Sequence, residues 1–134
     1  MRFLFVLLVM IATSGAHAAD VVSTGRRLDL RRVLRPEGTT VLLFIQETSA
    51  MEQEFLATLE KELPTSDRLA LRVVKLKNLE NDAARQFTIT MTPTAIVFDR
   101  WAKEFARASA AEEIRAAVRK GMLMARIAWI DEDH

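Results

Sequence analysis

Phe87-Thr-Ile-Thr-Met-Thr-Pro-Thr-Ala-Ile-Val-Phe-Asp99 is the stretch that decides the fold of this chain. The ring of Pro93 crowds the residue before it, which pushes Thr92 out of the helical region and into an extended approach. Thr94 to Asp99 then runs β-branched and apolar, the pattern of a buried strand. Upstream, Leu79 to Phe87 reads as a short helix. Downstream, Arg100-Trp101-Ala102 reads as a turn into a further strand, Lys103 to Ala106.

The same alternation continues outward. Thr39 to Gln46 (TTVLLFIQ) and Leu69 to Leu76 are continuously apolar at their centres, as strands covered on both faces should be. Between them, Phe55, Leu56, Leu59 and Leu63 recur at three- and four-residue spacing, with Glu52, Gln53, Glu54, Glu60 and Lys61 on the other side. That is an amphipathic helix, Ser49 to Leu63. Asp29 is placed to cap a short helix from Leu30 to Leu34, and Arg35-Pro36-Glu37-Gly38 ends it in a turn. Asp20 to Gly25 leads in as a loop or short edge strand. Ser109-Ala-Ala-Glu112 has the form of a capping box and predicts the start of a last helix there, with Ile114, Ala117, Val118, Met122 and Ala125 on its apolar stripe. The order β-α-β-α-β-β-α predicts an α/β sandwich, one central mixed sheet with helices on both faces.

These elements, over roughly residues 28 to 124, resemble a thioredoxin-like domain. The resemblance rests on Val41-Leu-Leu-Phe44 leading into a helix, on Val73-Val-Lys75, on Thr92-Pro93-Thr94 opening a strand, and on Asp99 to Arg107 as a final hairpin. It implies a three-layer thioredoxin-like sandwich, and a cis peptide bond before Pro93. It also implies that the Thr92 backbone pairs with an extended peptide, by strand addition. The family's two redox cysteines would fall near Ser49 and Glu52, yet the chain has no cysteine. Disulfide exchange requires a thiolate, so that chemistry is closed to it. The family's buried acid would fall at Leu43, while Lys75 stands where that acid's lysine neighbour is expected. Nucleophiles and proton relay are missing together.

Residues 1 to 18 read as an export signal. Met1-Arg2 is a positive n-region, Phe3 to Ala12 an apolar h-region, and Ala16-His17-Ala18 an A-x-A cleavage site. The apolar run is about half the ~20 residues a membrane helix needs, so no stable membrane insertion is expected after cleavage. The expected destination is the periplasm in a Gram-negative bacterium, or otherwise the outside of the cell. The remaining domain, residues 19 to 134, carries 18 basic and 18 acidic residues. A neutral surface argues against nucleic acid, whose phosphates demand a basic one.

No cofactor is expected, and each candidate site has a bland reading beside its functional one. Ser49-Ala-Met-Glu52 is a capping box, with Ser49 at the N-cap and Glu52 three residues on. A nucleophilic Ser49 would need a base; the only histidine after the signal is His134, and Lys75 would have to reach across the sheet. Glutathione activation by Ser49 or Thr48 would call for an appended helical domain that the remaining length does not supply. Asp131-Glu-Asp-His134 has metal-ligand chemistry but reads better as a solvated terminus. Arg26-Arg27 and Arg31-Arg32 read as a solvated face. Trp129 fits packing of the last helix, whereas Trp101, at a turn, is a candidate contact. Met51 and Met91 would flank the former redox groove as an adaptable apolar surface or as half-buried packing. The reading that follows is a redox-inactive module holding an exported protein or peptide segment at a groove of Thr48, Ser49, Met51, Glu52, Met91, Thr92 and Pro93. The alternatives are an enzyme using Ser49 or Lys75 on a small molecule, and a structural subunit docking through a sheet edge or Trp101.

Overall fold

A computed structural model describes residues 19–64 and 66–126. Residues 1–18, expected to be an export signal, Trp129 and the acidic stretch from Asp131 to His134 lie outside the described residues. The chain forms β1 (Asp20–Ser23), α1 (Leu30–Val33), β2 (Thr39–Gln46), α2 (Ala50–Glu62), β3 (Leu69–Leu76), α3 (Asp82–Gln86), β4 (Thr94–Phe98), β5 (Glu104–Ser109) and α4 (Ala111–Met124).

The strands make one five-stranded sheet in the order β1-β3-β2-β4-β5. β1, β3 and β2 run parallel, and β4 and β5 are antiparallel to their neighbours. β2 sits at the centre and explains the layering. Successive side chains of a strand point to opposite faces, so Val41, Leu43 and Ile45 meet α2 and α4, together with Leu59, Ile114, Val118 and Met122. Leu42 and Phe44 point the other way, into a second cluster with Val33 of α1, Ala83 and Ala84 of α3, and Ile96. The uninterrupted apolar run of β2 is the signature of these two dry faces. α4 approaches the sheet closely at Gly121, where an added Cβ would come within 3.1 Å of Val97 Cγ1 and 3.3 Å of Thr39 Cγ2. Arg115 donates to Glu62, tying α4 to α2, and that bond raises the guanidinium pKa above its ordinary value.

Two departures from the sequence expectation have a visible cause. The helix expected from Leu79 begins only at Asp82. Side chains of the preceding turn take over the backbone donors: Asn78 Oδ1 accepts from Glu80 N–H at 2.7 Å, and Asn81 Oδ1 from Lys77 N–H at 2.9 Å. Such local bonds favour turns over helix. The capping box at Ser109 does not form. Ser109 is the last residue of β5, paired with Thr94 of β4, and its hydroxyl lies 2.8 Å from Thr94 Oγ1. The sheet ladder extends β5 past the expected Ala106, and α4 starts after Ala110, which has a φ of 85° and provides no side-chain cap.

Candidate functional site

The candidate groove lies where β2 ends and α2 begins, facing the loop before β4. Ser49 caps α2, its Oγ accepting from the Glu52 N–H at 3.2 Å. That half of the capping box forms as the sequence suggests. The other half does not, because Glu52 turns away from the Ser49 N–H. Its Oε1 accepts from the Gln46 N–H at 2.7 Å, and its Oε2 accepts from the Thr92 hydroxyl at 3.0 Å. The Ser49 N–H instead donates to the Gln46 carbonyl at 3.1 Å. One carboxylate thus joins the end of β2, the first turn of α2 and the residue before Pro93. The Thr92–Pro93 peptide bond is cis.

This bond explains how the groove residues come together. Glu52 and Thr92 are 40 positions apart in sequence, and their chain neighbours Met51 and Met91 therefore flank a single joint. Both methionines are open to solvent, Met51 at 77% and Met91 at 54% of full exposure. Thr48 is exposed, while Ser49, Glu52, Thr92 and Pro93 are half-buried. Among the described residues, no hydrogen bond engages the Thr92 backbone N–H or carbonyl. The neighbouring Thr94 is anchored, its hydroxyl donating to the Met91 carbonyl at 2.7 Å.

The geometry offers Ser49 no base. Its Oγ is engaged by the helix terminus, and among the described residues no histidine, lysine or carboxylate hydrogen-bonds to it. Lys75 stands in β3 opposite Ile45 of β2, half-buried. Leu43 is fully buried with apolar neighbours. Ser49→Ala is accordingly expected to lower stability by about 1 kcal/mol, the usual worth of an N-cap hydroxyl, measured by urea unfolding. A nucleophile at that position would instead show as a loss of turnover by orders of magnitude.

Trp101 lies at the opposite end of the sheet. It sits in the β4–β5 turn, where Asp99 Oδ1 accepts from the Trp101 and Lys103 N–H groups at 2.8 and 3.0 Å and Ala102 takes a φ of 64°. The indole is 74% exposed, with the Arg100 guanidinium 5.5 Å from its centroid. It borders a cavity of about 440 Å³ that Thr39, Arg68, Arg100 and Met124 also line. Among the described residues, no three potential metal ligands converge, and no helix is long and apolar enough to cross a membrane.

The comparison with solved structures decides the architecture. Thioredoxin from Fasciola hepatica superposes with a TM-score of 0.55 over 83% of this chain and 100% of its own, at 18% identity. The chain has the thioredoxin fold. Thioredoxin f from spinach chloroplast gives a TM-score of 0.56 over 83% of this chain and 97% of its own, at 15% identity. Malassezia sympodialis thioredoxin gives 0.57 over 78% and 92%, at 14% identity. No family model and no curated protein matches the sequence. On this thioredoxin fold, Ser49 and Glu52 occupy the N-terminal turn of the helix that follows the central strand. With no cysteine anywhere in the chain, its own side chains cannot carry thiol–disulfide exchange.

Proposed function

We propose that this chain is an exported, redox-inactive thioredoxin-like module that binds an extended segment of a protein partner at the groove between Thr48–Glu52 and Met91–Pro93. The observation that carries this reading is the Glu52–Thr92 hydrogen bond, which sets Met51 and Met91, both exposed, about one joint. Exposed methionine supplies an apolar contact that adapts to varied partners, and the Thr92 backbone retains its donor and acceptor for strand-like pairing. Glu52 takes over the bridging position without reactivity, so the partner is held and not chemically altered. The role is chaperone-like holding, or assembly of an exported enzyme or cofactor complex. The A-x-A pattern at residues 16 to 18 supports export and removal of residues 1 to 18.

A second reading has its own observation. The exposed Trp101 beside its cavity favours a structural subunit that docks through the β4–β5 turn. Photo-crosslinking in the exported compartment separates the two, with probes at Ser49, Thr92, Trp101 and, as a control, Arg119. The groove reading expects a discrete adduct from Ser49 and Thr92 alone, abolished by Met51→Glu/Met91→Glu. An adduct from Trp101 without one from the groove would overturn it in favour of the second.

A further inference from the structure

Ala19 is the first of the described residues, and a carboxylate holds it. Its main-chain nitrogen donates to Glu60 Oε2 at 2.8 Å, across 41 positions of sequence. Ala19 also packs against the apolar cluster beneath α2 and α4. The next residue fixes its place: Asp20 opens β1 opposite Arg72 of β3, and the two side chains pair at 2.8 Å. Ala19 is therefore not a loose end that happens to lie near Glu60.

The cleavage pattern Ala16-His17-Ala18 points to the peptide bond just before this nitrogen. Hydrolysis there breaks the Ala18–Ala19 C–N bond. Water's hydroxyl joins the Ala18 carbonyl, which leaves as a carboxylate, and the released protons go to the Ala19 nitrogen. A neutral amide with one N–H becomes an α-ammonium with three, carrying a full positive charge at neutral pH. We infer that Glu60 is the receptor for the N-terminus that signal cleavage creates, so that processing turns a hydrogen bond from a neutral donor into an ion pair. This inference rests on the export reading above. The cationic donor adds Coulombic attraction to a bond the carboxylate already accepts, so the processed chain is more stable than its precursor at this contact. Processing then strengthens a joint between the start of β1 and α2 that the fold already makes.

A thermodynamic cycle tests it. The chain beginning at Ala19, released from a removable fusion, is compared with the same chain preceded by Gly-Ser, each with Glu60 and with Glu60→Gln. The expected result is a Tm about 2–5 °C higher for the free Ala19 terminus, a gap that Glu60→Gln removes and that 0.5 M salt shrinks. An equal effect of Glu60→Gln in both chains would overturn the ion pair. N-terminal sequencing of the exported protein stands apart from the cycle: a start elsewhere than Ala19 would overturn the link to processing while leaving the measured contact intact.

Discussion

The double substitution Ser49→Cys/Glu52→Cys is expected to take this chain from no thiol–disulfide exchange to a measurable rate of insulin reduction. The fold still carries the electrostatic setting. Position 49 is the N-cap of α2, where the Glu52 N–H already donates to the Ser49 oxygen, and the positive end of the helix would favour a thiolate in the same place. The substitution also removes a carboxylate that would oppose that charge. Two absences limit the gain. Leu43 offers no buried acid to move the proton. Removing Glu52 leaves the Gln46 N–H and the Thr92 hydroxyl without their acceptor, at about 1–3 kcal/mol. Thiol titration before and after oxidation, with insulin turbidity, reads the result. The single variants should stay inactive. If both thiols of a folded double variant remain free after oxidation, the two positions are not redox-competent neighbours.

Phe44→Ala carries the largest expected loss of stability, about 3–5 kcal/mol. Phe44 is fully buried on the central strand. Its ring lies 5.6 Å from that of Phe87, which in turn meets Phe98 at 6.5 Å. The three rings meet in the layer between β2, β4 and the end of α3, within the buried cluster that also holds Leu42, Leu76 and Ile96. Domains of this size typically have about 5–15 kcal/mol in all, so the variant should sit near the edge of folding. Urea unfolding should show a large drop in midpoint at unchanged slope. A loss under about 1 kcal/mol would mean that the layer collapses into the space.

The sheet was legible because burial on two faces leaves a mark that sequence carries directly. Thr39–Gln46 and Leu69–Leu76 fall at the expected residues, since strands covered by helices on both faces are apolar along most of their centre. Local polar patterns were less trustworthy. Ser-x-x-Glu occurs twice, at 49–52 and 109–112, and neither forms a complete capping box. At 109 the ladder with Thr94 outcompetes the helix start. At 52 the carboxylate finds Thr92 and Gln46 in place of the nearby Ser49 N–H. The candidate groove residues were named through the family resemblance, but the Glu52 bridge that joins two of their segments was not. Its partner lies 40 positions away, and no periodicity encodes such a pairing. The Ala19–Glu60 contact escaped for the same reason.

β4 begins beside the groove at Thr94 and ends at Phe98, just before the turn that carries Trp101. Five residues of extended chain place those two regions about 15 Å apart. The turn is thus a handle on the far side of the molecule. A fluorophore, an affinity tag or a surface linkage attached at position 101 leaves the exposed Met51 and Met91 unobstructed, and any partner of the proposed groove would be presented away from the support.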